Sequence, residues 1–140
     1  MKKIFLIAIV SLLSIASYAQ STTPRFKNPP KDNTGRNITY EYYTPAYVAS
    51  DTIGPKASHT FYKYATLTGA RAIAVNVKKS YQFDKISMVF TSDATGRVVT
   101  FGAGFVPYTA TLTLIASKQA TVEFIFDGAA WVETTRTIQQ

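Results

Sequence analysis

The chain contains no cysteine, one histidine and one tryptophan in 140 residues. Without cysteine there is no disulfide framework and no thiol nucleophile, so a stable fold must rest on packing, metal or neighbouring subunits. One imidazole, His59, is too little for a zinc site. It is also poorly placed for a hydrolytic triad, because no Gly-x-Ser-x-Gly elbow accompanies any serine. An Asp-x-Asp-x-Asp-Gly calcium loop is missing as well. These absences predict a protein without catalytic residues, bound cofactor or resident metal. A sustained 3.6-residue apolar period is lacking beyond residue 19, which argues against helices.

What is present begins with a targeting segment. Lys2 and Lys3, the apolar run Ile4 to Leu13, and Ser17-Tyr18-Ala19 have the three parts of a secretory signal, predicted to be cleaved after Ala19. Ser11 and Ser14 interrupt the run, so no transmembrane anchor is expected after cleavage, and no cysteine follows to carry a lipid. Localisation is expected to be periplasmic, cell-surface or extracellular. Ser21 to Gly35 holds Pro24, Pro29 and Pro30 among polar and charged residues. Residues 20–36 therefore read as a basic, Pro-rich flexible arm.

Charge follows the same division. Without Lys2 and Lys3 the chain has 13 basic and 8 acidic residues, a net of +5. Arg25, Lys27, Lys31 and Arg36 against Asp32 supply +3 of it. The arm can attract anionic lipid or polysaccharide without specificity. Specific nucleic-acid binding is not expected of an exported chain.

Residues 37–140 carry the period of two that half-buried strands require. Asn37 to Thr44, Ala46 to Thr52, His59 to Leu67, Arg71 to Lys78, Lys85 to Thr91, Arg97 to Phe101, Thr109 to Leu114, the run around Val122, Phe124 and Phe126, and Trp131 to Arg136 all qualify. Asp93-Ala94-Thr95-Gly96 reads as a turn making Arg97 to Phe101 the hairpin partner of the strand before it, and Asp127-Gly128 reads as a second hairpin turn. Eight or nine short strands at nearly even spacing predict an antiparallel β-sandwich or jelly-roll-like barrel. Phe124, Phe126 and Trp131 are its predicted core anchors.

Two groups of residues invite a functional reading. Nine tyrosines, with Tyr40, Tyr42, Tyr43, Tyr47, Tyr62 and Tyr64 in the first half, suit cross-strand packing, a subunit interface or a sugar-stacking surface. Tyr42, Tyr62 and Tyr64 are the candidates for ligand or interface contact. Glu123 and Glu133 flank the Asp127 turn and could serve a polysaccharide hydrolase only if they converged on one cleft. The plain reading of Glu123, between Val122 and Phe124, is the solvent face of a sheet.

Several stretches together carry a family resemblance. They are Thr68-Gly69, Phe83-Asp84-Lys85-Ile86, the run from Asp93 to Gly102, and the ending Val122-Glu123-Phe124-Ile125-Phe126-Asp127-Gly128-Ala129-Ala130-Trp131-Val132-Glu133. This succession, spanning Thr66 to Arg136, resembles the C-terminal β-domains of bacteriophage fibre, spike and head-decoration proteins. The resemblance implies a homo-oligomer, a trimer, that is non-enzymatic and serves as a structural tip or receptor-binding surface. An export signal is out of place on a virion protein, so a related module on a bacterium's own surface or in its periplasm fits both features. The expectation is a secreted structural or adhesive module. The alternative is a carbohydrate-binding module using exposed tyrosines.

Overall fold

The computed structural model describes Lys31, Gly35 and residues 37–140. The predicted leader (1–19) and nearly all of the predicted arm (20–36) lie outside the described residues.

Among the described residues the protein is all-β, with ten strands and no helix. The strands are β1 (Tyr40–Tyr43), β2 (Ser50–Ile53), β3 (His59–Lys63), β4 (Arg71–Val75), β5 (Lys85–Thr91), β6 (Arg97–Phe101), β7 (Phe105–Val106), β8 (Thr111–Leu114), β9 (Gln119–Phe126) and β10 (Trp131–Ile138). They form a six-stranded sheet, ordered β1-β3-β5-β9-β10-β7, and a four-stranded sheet, ordered β2-β4-β6-β8.

The chain alternates between the sheets from β1 to β6. Tyr40 lies beside His59 and His59 beside Lys85, all in parallel. Ser50 lies beside Ala72 and Arg71 beside Val99, again in parallel. The path is therefore a coil of three turns, β1–β2, β3–β4 and β5–β6, in which each strand stacks on its counterpart one turn earlier. Antiparallel strands then close it. The β9–β10 hairpin fits between β5 and β7, and β8 adds to β6.

This corrects the expected antiparallel sandwich or jelly roll: the architecture is a short β-solenoid. Alternation identifies a strand's buried face but not its partner, and parallel neighbours need a crossover, which here is the strand of the opposite sheet. The expected hairpin between β5 and β6 is corrected in the same way, since the two strands lie in different sheets. Gly96 is there for room: a Cβ would sit 2.8 Å from the carbonyl oxygen of Leu114 at the end of β8. The second hairpin is present, with Trp131 opposite Phe126 and Asp127 Oδ1 accepting the N–H groups of Ala129 and Ala130.

Between the sheets lies one apolar core. Ile86, Met88 and Phe90 of β5, Val122, Phe124 and Phe126 of β9, and Leu112 and Leu114 of β8 all point inward. Aromatic rings run through it in contact, from Tyr43 through Tyr62, Tyr64 and Phe90 to Phe101 and Phe105. Phe124 and Trp131 are fully buried and Phe126 nearly so, which puts the three anchors in this single layer.

Every turn rounds two corners. One, made of residues 44–49, 64–70, 92–96 and 115–118, stacks tightly. There the Ala65 N–H reaches the Pro45 carbonyl, Asp93 reaches Leu67, and Ser117 reaches Asp93. The opposite corner, made of residues 54–58, 76–84, 102–104 and 127–130, lets its longest loop project. The two are called here the packed corner and the open corner.

Candidate functional site

The open corner holds two adjoining clefts of about 540 Å3 and 330 Å3. Pro55, Lys56 and Lys79 line both. The larger is completed by Asn37, Thr39, Ser58, Tyr81 and Asp84, and the smaller by Thr52, Asn76 and Lys78. Among the described residues, Lys56, Lys78 and Lys79 form no ion pair, and Asp84 is the one carboxylate on the walls.

Local hydrogen bonds shape the loop behind this site. β4 ends at Val75, and Asn76 Oδ1 accepts the Lys78 N–H at 2.9 Å. The buried Asp84 carboxylate accepts the Tyr81 N–H at 2.8 Å, while the Asp84 N–H donates to the Tyr81 carbonyl at 2.9 Å. Phe83 donates its N–H to the Phe126 carbonyl, and Gln82 donates its side-chain amide to the Asp127 carbonyl. These bonds hold Lys79 at φ 66° and Phe83 at φ 71°, the left-handed region that non-glycine residues seldom occupy. Yet the rings so positioned face water: Tyr81 is 60% and Phe83 59% exposed, with Val77 exposed beside them.

The tyrosines named from sequence separate. Tyr42 is 62% exposed on the outer face of the larger sheet, near Tyr40 and Phe61. Tyr62 and Tyr64 are only 5% and 2% exposed, so sugar stacking on those two rings is corrected to core packing. The Tyr62 hydroxyl donates to the Gly54 carbonyl at 2.7 Å, and Tyr64 stacks on Phe90 at 4.8 Å. Burial raises the pKa of both phenols above the ordinary value.

Glu123 and Glu133 do not converge. Glu123 lies on the outer face, where it accepts from Ser87 Oγ at 3.0 Å and pairs with Lys85 Nζ at 3.4 Å. Glu133 sits opposite Phe124 and points between the sheets. It accepts two hydrogen bonds from Arg136, each 2.7 Å, and one from the Tyr108 N–H at 3.0 Å. A sheet separates the two carboxylates, so the glycosidase arrangement considered from sequence does not exist. The imidazole of His59 stands edge-on to Tyr40 at 4.9 Å. Burial, then the Lys85 charge, lower its pKa. Among the described residues no three His, Cys, Asp or Glu side chains gather as a metal site would require.

Sequence reasoning missed Lys56, Lys78, Lys79, Tyr81 and Phe83. A signal was present: Tyr81 and Phe83 put two aromatic rings into a stretch that otherwise reads as a turn, just after two consecutive lysines.

No protein-family model matches the chain and no curated protein matches it, so these comparisons supply no link to fibre, spike or head-decoration domains.

Proposed function

We propose that this is an exported, non-enzymatic adhesive module that touches a negatively charged surface with its open corner. The 76–84 loop carries the reading. Two non-glycine residues in left-handed conformations cost of order 1–3 kcal/mol each, and the loop recovers little of that by burial because its rings stay exposed. Strain that holds aromatic rings out in water fits a surface shaped for contact. The lysines beside it, which form no ion pair among the described residues, give that contact a preference for negative charge.

Export rests on the leader-like residues 1–19. A homo-oligomer is part of the proposal. Among the described residues β1 is an edge strand whose outer face carries Tyr40 and Tyr42, and a second copy is the occupant that would cover both that edge and these rings. Solution mass measurement tests that part: a monomer at high concentration removes it.

The adhesive reading is tested with labelled mature protein on isolated cell envelope. Replacing Tyr81 and Phe83 together with Ala should lower retention about tenfold, equivalent to about 1.4 kcal/mol. A control, Val98→Ala on the exposed face of β6, should change nothing. Full retention by the folded double variant rejects the reading.

A further inference from the structure

We infer that the paired cleft takes an acidic saccharide, a short run of uronic-acid-type units whose carboxylates meet Lys56, Lys78 and Lys79 while one sugar ring lies against Tyr81. This rests on the adhesive reading and names its ligand class.

Four observations select that chemistry. First, the charge is delivered by ammonium groups. Lysine is a mobile point charge on a flexible stem, suited to single carboxylates scattered along a chain, and three lysines line the clefts. Second, the space between the lysines is walled by neutral hydrogen-bonding groups, the amides of Asn37 and Asn76 and the hydroxyls of Thr39, Thr52 and Ser58. A polyhydroxylated ligand can use the donors and acceptors that internal bonds leave over; an acyl chain can use none. Third, Asp84 lies on the wall of the larger cleft. Its negative charge disfavours a densely charged phosphate chain there. Fourth, Tyr81 offers an exposed ring on the same wall, an apolar platform with a polar tip.

The shape agrees. The two clefts share Pro55, Lys56 and Lys79 and follow loops from successive turns of the coil. Adjacent strands of a sheet are about 4.8 Å apart, so groups repeated turn by turn form a ladder along an extended chain rather than a bowl for one small molecule.

Calorimetry with galacturonate oligomers on the whole mature chain tests the inference. Binding is expected, weakening steeply with salt, and at least about tenfold weaker for the same oligomers after carboxyl reduction. Lys56→Ala with Lys79→Ala should lose about tenfold or more, and Tyr81→Ala should lose affinity that Tyr81→Phe keeps. Unchanged thermal unfolding of each variant shows that it folds. Equal binding of polyglutamate overturns the saccharide assignment and leaves a general anionic contact. Absence of uronate binding, with envelope retention that still depends on Tyr81 and Phe83, overturns the ligand class and leaves the module reading standing. Absence of both rejects the two together.

Discussion

The two corners of the coil are built from similar lengths of chain and do opposite things with their polar residues. At the packed corner, side chains turn inward and are used up. Arg71, buried at the start of β4, donates to Asp51 at 2.9 Å and to the Ala46 carbonyl at 3.1 Å, and lies 4.3 Å over the Tyr64 ring. Arg97 grips Asp93 through two nitrogens, and the Ser92 hydroxyl donates to the Ile115 carbonyl of the neighbouring loop in the same corner. At the open corner, lysines and aromatic rings face solvent, and the buried carboxylate of Asp84 is spent on holding a loop in an unfavourable shape. One corner stabilises the fold and the other is displayed by it. Substitutions should therefore separate stability from binding according to corner.

The largest loss of stability should come from the core that both corners enclose. Trp131 is fully buried against Phe126, and its backbone N–H donates to the carbonyl of Gly104, the residue at φ 85° that lies against Val75. Trp131→Ala should cost about 3–5 kcal/mol in denaturant unfolding. A change below about 1 kcal/mol would contradict the packing described here.

Next comes the packed corner. Arg71→Ala leaves Asp51 without its cation and empties a filled position beneath Tyr64. Removing one member of a buried pair costs about 3–5 kcal/mol, and the partial exposure of Asp51 puts this case at the low end. Retention on envelope should be unchanged at temperatures where the variant is folded. A folded Arg71→Ala protein that no longer binds would dissolve the distinction between the corners.

How far these features could be read in the residues depends on range. The burial of Ile86, Met88 and Phe90, and the hairpin that brings Trp131 opposite Phe126, follow from neighbours a few positions apart. The pairing of Tyr40 with His59 and of Ser50 with Ala72 does not, because a period of two is the same whichever strand lies alongside. The buried Arg71 was hidden for a related reason. A cation opening a strand looks solvated until Asp51 and Ala46, one turn of the coil earlier, come to meet it. The clefts depend on stacked turns too, so Lys56 and Lys79 become neighbours only once the coil is formed.

The open corner should respond in the reverse sense. Phe83→Gly removes a ring that is mostly in water and lets the backbone keep φ 71° without a Cβ penalty. Stability should hold or rise by up to about 1 kcal/mol, while envelope retention falls. Loss of stability would show that the ring supports the fold, and the strain argument for function would fail.

The smallest effects are expected from acid titration, and they too differ by corner. At the packed corner, the Arg97 guanidinium first and the Thr95 N–H second hold the Asp93 carboxyl below the usual carboxylate range. At the open corner, the N–H groups of Ala130 and Ala129 do the same for Asp127. Both folded-state values lie below the unfolded value of about 3.9, so the stabilisation is complete above about pH 4 and is lost as pH falls through the folded values. Asp93 depends largely on a full charge at the surface, which salt screens, whereas Asp127 depends on short contacts to backbone dipoles, which salt screens less. Thermal unfolding between pH 5 and 2.5 should therefore lose part of its acid slope in Asp127→Asn at any ionic strength, and in Asp93→Asn chiefly at low salt. Equal salt sensitivity of the two contributions would mean that Asp127 has a cationic partner, and the open corner would then be less starved of ion pairs than its geometry shows.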